Sequence, residues 1–129
     1  VKTGYCTLVD DCYNANPTSD RAAIDSLASL SGRHVSILGD MLEMGGNAPE
    51  LHRSVGEYAA AHGVDLVITQ GELAKYIAEG AGTAGEHYAD RASLLAALPE
   101  LLHEGDAVLV KASHGAHFEE ISEAVKQLS

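Results

Sequence analysis

The stretch LVDDCYNANPTSDRAA, Leu8 to Ala23, runs from an apolar segment through a crowd of polar residues into a helical pattern. Upstream, YCTLV (Tyr5–Val9) has the composition of a buried strand. Downstream, Ala23, Leu27 and Leu30 recur at i, i+4 and i+7, opening beside Thr18 and Ser19 and stopping at Gly32. A plain turn between them needs one or two residues that set backbone angles. Two carboxylates, a tyrosine and two asparagines exceed that need. The unit is strand, overloaded polar loop, helix.

The same unit recurs along the chain. HVSIL (His34–Leu38) reads as a second strand, followed by a helix carrying Leu51, Val55, Tyr58 and Ala59, opened near Asn47 and Pro49 and closed at Gly63. DLVIT (Asp65–Thr69) is a third strand before a short helix with Leu73 and Ile77. EHYA (Glu86–Ala89) is a weaker fourth strand, and the leucine-rich helix after Asp90 is expected to kink or restart at Pro99. AVLVK (Ala107–Lys111) is the fifth strand, and Phe118, Ile121, Val125 and Leu128 mark the closing helix. Strand–helix alternation with crossovers of this length predicts an α/β fold: a Rossmann-like, doubly wound, mainly parallel sheet with helices on both faces. All 129 residues fit one domain without linker or repeat.

Composition narrows the function. With 8 basic against 19 acidic residues the formal charge is −11, which disfavours tracking along nucleic acid. No apolar run approaches the roughly 20 residues of a membrane span, and the first residues lack a signal-peptide pattern, so a cytoplasmic protein is expected. Cys6 and Cys12 flank one strand, about 20 Å apart if extended, too far for a disulfide. His114 and His117 share a spacing of three but have no third ligand nearby, so no metal site is expected.

Ligands of open α/β sheets bind outside the carboxyl ends of the strands. The loops that follow the strands place Asp10 to Asn16, Gly39-Asp40 with Glu43, Gln70-Gly71, and Lys111, Ser113 and His114 on one rim. In DDCYNANP, a turn capping the helix at Thr18–Ser19 would account for one Asp and one Asn. The remainder suits recognition of hydroxyls and amides, with Asp11 the better ligand of the acidic pair. LGDMLEMGG (Leu38–Gly46) is as well explained by an ordinary loop as by a site, with Met41, Leu42 and Met44 packing as a lid and His52 structural. Lys111, Ser113 and His114, beside a helix N-terminus, suit a carboxylate or phosphate. No G-x-x-x-x-G-K-[ST] pattern occurs, so the chain is read as supplying one wall of a site and no phosphate cradle or complete catalytic set.

DDCYNANPTS, LGDMLEMG with Leu51-His52, and VKAS, in that order, resemble the C-terminal domain of the Mur ligases over essentially the whole chain. The Tyr-Asn-Ala-Asn-Pro form is similar to the branch that adds D-Ala-D-Ala. The resemblance implies an ATP-dependent amide ligase of peptidoglycan synthesis, with UDP-N-acetylmuramoyl tripeptide and D-Ala-D-Ala as substrates. It also implies that the family's N-terminal UDP-sugar domain and central ATPase domain, which holds ATP and Mg2+, lie outside these residues. By the same resemblance Asp11, Tyr13 and Asn14 face the nucleotide, and Asn14, Asn16, Asp40, Lys111, Ser113 and His114 face the substrate. Ala112 and His114 depart from the family's usual glycine and arginine. A stand-alone binding module on the same fold, or a sister ligase for another amino acid, are the alternative readings.

Overall fold

The computed structural model describes residues 6–11, 16–41, 45–112 and 118–128, with the side chains of Asp10 and Asp11 outside that description. The strands are β1 (Thr7–Asp11), β2 (His34–Leu38), β3 (Leu66–Gln70), β4 (Gly85–Tyr88) and β5 (Ala107–Lys111). The helices are α1 (Pro17–Ala28), α2 (Ala48–Ala61), α3 (Ala74–Ala81), α4 (Arg91–Leu101) and α5 (Glu119–Lys126). All strand pairs are parallel, in the order β1-β5-β2-β3-β4. The doubly wound sheet expected from the alternation is therefore present.

Its two faces are both covered. Leu94, Leu98 and Leu102 from α4 and its end, with Phe118, Ile121 and Val125, bury against Leu8, Val35, Ile37, Ile68, Val108 and Val110. Ile24, Leu27, Val55, Ala59, Ala74 and Ile77 from α1, α2 and α3 bury against Leu38, Val67, Ala107 and Leu109 on the opposite face. Adjacent residues of β5 thus point to opposite cores, the period of two that a strand imposes. Burial on both faces is why the central strands read as unbroken apolar runs.

The winding places the site. Helices α1, α2 and α3 lie on one face, whereas α4 and α5 lie on the other. The connections leaving β5 and β2, neighbours in the sheet, therefore diverge to opposite faces at the carboxyl rim. Such a divergence opens a crevice where ligands of this fold class bind.

Two expectations need correction. The first strand runs two residues later than YCTLV, so Asp10 and Asp11 belong to β1 and stand in register with Val110 and Lys111. Pairing along β5 extends the strand past its apolar stretch. Helix α4 passes through Pro99 to Leu101 without restarting. The proline removes the donor that would face the Leu95 carbonyl, and burial of Leu94, Leu98 and Leu102 against the sheet holds the helix across that gap.

Candidate functional site

The carboxyl rim is assembled by sheet register. Asp11 of β1 and Leu38 of β2 both pair with Lys111 of β5; Leu38 pairs onward with Thr69, and Gln70 pairs with Tyr88. Strand ends far apart in sequence are thus neighbours. Of the anticipated residues, Asn16, Asp40 and Lys111 are described there, with the backbone of Asp11. Tyr13, Asn14, Ser113 and His114 lie outside the described residues.

Lys111 is only 1% exposed although it ends its strand. Its side chain is enclosed by the rim, unlike that of an ordinary solvated lysine. Ala112 is fully buried. A Cβ built on Gly39 would come within 2.8 Å of the Ala112 Cβ and 2.5 Å of Phe118 Cζ. Gly39 thus allows the β2 exit to pass tightly beneath the start of α5.

Asn16 has a definite local task. It is the N-cap of α1, its Oδ1 accepting from Ser19 N–H at 2.8 Å while Ser19 Oγ accepts from Asn16 N–H at 3.1 Å. Pro17 follows at the first helical position, where its missing donor costs nothing. This reciprocal box is the capping role weighed for the loop, and it occupies the carbonyl half of the Asn16 amide.

Asp40 is also engaged. Its Oδ1 accepts from Leu73 N–H at 3.0 Å and Ala74 N–H at 2.8 Å, capping α3 from the exit of β2. Met41, expected to pack in a lid, is instead buried in the core, and Leu42 and Met44 lie outside the described residues. His52, fully buried in α2, has both ring nitrogens on backbone groups. Nε2 accepts from Met41 N–H at 2.8 Å, and Nδ1 donates to the Ala48 carbonyl at 2.6 Å. Burial lowers its pKa from the ordinary value, against the opposing pull of the Ala48 carbonyl and of Asp40.

Sequence reasoning missed a second part of the rim. Arg91 opens α4, donates from Nε to Gln70 Oε1 at 2.9 Å, stacks 4.9 Å over the Phe118 ring, and lies 3.5 Å from Glu120. It therefore ties the exits of β3 and β4 to the start of α5. Its signal was positional: a basic residue directly after the N-cap Asp90. Beside it, a crevice of 540 Å³ is lined by Pro49, Gly71, Leu73, Tyr76, His87 and their neighbours. Thr69 Oγ1 and His87 Nδ1 are 2.7 Å apart there. His87 is exposed overall, but partial desolvation of its ring lowers its pKa; Asp40 opposes that shift and Lys75 adds to it. Among the described residues no cluster of His, Cys, Asp and Glu could hold a metal ion, and no helix is long and apolar enough to cross a membrane.

A parallel, doubly wound sheet with an enclosed lysine and a capped, polar carboxyl rim defines a Rossmann-like α/β domain. The chain belongs to the Mur ligase family: residues 1–114 match the family described as Mur ligase, glutamate ligase domain. It is 39% identical over 122 residues to the UDP-N-acetylmuramoyl-tripeptide–D-alanyl-D-alanine ligase of Escherichia coli K12, a match covering 93% of this chain and 27% of that protein. The ligase of the same name from Bacillus subtilis 168 is 40% identical, with 89% and 27% covered. Among solved structures, MurF from Acinetobacter baumannii superposes with a TM-score of 0.89 at 28% identity, covering 98% of this chain and 29% of that one. MurF from Thermotoga maritima in complex with ADP gives 0.86 at 25% identity, with 98% and 29% covered. The chain thus spans about a quarter of the length of the relatives it matches.

Proposed function

We propose that this chain is the C-terminal domain of a cytoplasmic ligase that joins D-Ala-D-Ala to UDP-N-acetylmuramoyl tripeptide at the expense of ATP. The observation that carries the reading is that relatives named for this activity match some nine-tenths of the chain at 39–40% identity. When bound, ATP would supply the phosphoryl group that activates the tripeptide carboxylate, and the dipeptide amine would then displace inorganic phosphate from that carboxyl carbon to form the amide. In this reading the phosphates and Mg2+ are held by other domains of the full-length ligase, in keeping with the lack of a G-x-x-x-x-G-K-[ST] motif in this chain.

The residues of this chain would form the closing wall. Asp11, Tyr13 and Asn14 face the nucleotide; Asn14, Asn16, Asp40, Lys111, Ser113 and His114 face the incoming dipeptide. Register supports grouping Asp11 with Lys111, and the buried position of Lys111 supports an anion-binding role in a water-poor cleft. Closure would orient the amine and keep water from the activated carboxylate. The capping bonds of Asn16 and Asp40 would position their loops as well as any substrate atom they meet.

The test is an amide-forming assay with UDP-N-acetylmuramoyl tripeptide, D-Ala-D-Ala, ATP and Mg2+. A full-length ligase carrying this chain should release ADP only when both substrates are present, and the 129-residue chain alone should not. ADP release with another amino acid in place of the dipeptide would favour a sister ligase. Turnover by the chain alone would overturn the assignment of the chemistry to other domains.

A further inference from the structure

Three consecutive residues leaving β2 are each tied to a different element. Gly39 N–H donates to the Lys111 carbonyl of β5 at 3.0 Å. Asp40 holds the first turn of α3, and Met41 N–H donates to His52 of α2. Only the last tie depends on a side chain that changes its protonation near neutral pH. We propose that His52 is the positioning residue of the β2 exit, and that it holds this segment only as the neutral ring protonated on Nδ1.

The tautomer follows from the partners. The Ala48 carbonyl can only accept, so Nδ1 carries the proton; the Met41 amide can only donate, so Nε2 must present a lone pair. Protonating Nε2 sets N–H against N–H and breaks the tie to Met41. The fully buried ring resists that protonation, with Asp40 the charged group among the described residues whose field opposes the resistance. A histidine with a lowered folded pKa contributes stability that is complete above its unfolded value, about 6.5, and lost as pH falls toward the folded one. Acid therefore releases Met41, while the ties of Gly39 to β5 and of Asp40 to α3 remain.

Side-chain length gives a discriminating pair of neutral variants. His52→Gln keeps a non-titrating acceptor at the ε position for the Met41 amide. His52→Asn carries its amide one bond short, so it can serve Ala48 but not Met41. In the 129-residue chain, hydrogen exchange of the Met41 amide should show a protection factor that falls on the order of tenfold through the acid range in the wild type. In His52→Gln it should stay level, and in His52→Asn it should be low throughout. The 15N shifts of the wild-type ring should report the Nδ1–H tautomer at neutral pH. Glu43, in the neighbouring 42–44 segment, is controlled by Glu43→Gln, which should leave the wild-type profile in place. An Nε2–H tautomer, full Met41 protection in His52→Asn, or equal pH dependence in wild type and His52→Gln would each overturn the proposal.

A kinetic arm rests on the ligase reading. In the full-length enzyme, dipeptide KM should rise at acid pH more in wild type than in His52→Gln. Identical KM profiles despite ligase turnover would show that the segment does not serve the dipeptide site, and would overturn the functional half of the proposal. Absence of any ligase turnover would instead count against the ligase reading, while Met41 exchange still decides whether His52 holds the loop.

Discussion

Asp40 caps helix α3 from across the rim: its Oδ1 lies 2.8 Å from the amide nitrogen of Ala74, a residue 34 positions later in the chain. The residue at the helix's own N-cap position, Leu73, has no side chain able to do this. Asp40→Ala should therefore destabilise the domain by about 0.5–2 kcal/mol in urea denaturation. Asp40→Asn, which keeps an acceptor oxygen, should retain most of that. The pair also separates two roles. If full-length Asp40→Asn folds normally but loses dipeptide use, Asp40 meets the substrate; if both survive, it acts as a cap alone.

Two other caps differ in what acid does to them. Asn16 closes α1 with a neutral amide, whereas Asp90 closes α4 with a carboxylate whose Oδ1 accepts from Ser93 N–H at 2.7 Å. The Ser93 hydrogen bonds hold the Asp90 pKa below its ordinary value. Its contribution is thus present above the unfolded carboxylate value, about 3.9, and lost as pH falls through the lower folded one. Asp90→Asn should flatten the acid limb of the stability curve. Asn16→Ala should lower the whole curve by about 0.5–2 kcal/mol without altering its shape.

Gly39 tests how tightly the rim is packed. An added methyl group meets the Phe118 ring and the Ala112 Cβ on the far side of the sheet exit. Gly39→Ala should cost about 1–3 kcal/mol, the usual range for overpacking. The additional variant Phe118→Leu should recover part of that loss, because it removes the ring atoms in contact. No recovery in the double variant would place the strain at the Ala112 contact or in the backbone of the β2 exit instead.

Much of this was legible because parallel strands buried on both faces leave a strong signature. HVSIL and AVLVK coincide with β2 and β5 to the residue. The bounds of β1 differ by two because its pairing partners are distant in sequence: nothing local in VDD announces that Val110 and Lys111 extend the ladder. The rim's convergence could be read from loop order, but its internal ties could not. Asp40 reaching α3, His52 reaching Met41 and Arg91 reaching Gln70 are all bonds between elements, invisible to any periodicity.

The opposite end of the sheet offers the largest expected effect on stability. Asp106 is 2% exposed and receives Arg33 through Nε at 3.1 Å and Nη2 at 2.8 Å, while His103 N–H donates to it at 2.7 Å. Arg33 also reaches the Leu101 carbonyl at 2.7 Å, joining the loop before β2 to the end of α4. The hydrogen bond to Asp106 raises the arginine pKa, so the guanidinium stays charged throughout the working range. Arg33→Ala strands a buried carboxylate, a loss that runs to about 3–5 kcal/mol for enclosed pairs. Because the Arg33 side chain is 31% exposed, water can reach the carboxylate in its place and the lower end applies. Arg33→Ala with Asp106→Asn should then be more stable than Arg33→Ala alone, since the unpaired charge is gone and the Asn oxygen still accepts from His103. Urea denaturation of the two single variants and the double gives the coupling directly. A loss under about 0.5 kcal/mol in Arg33→Ala would show that Asp106 is hydrated well enough to stand without its partner.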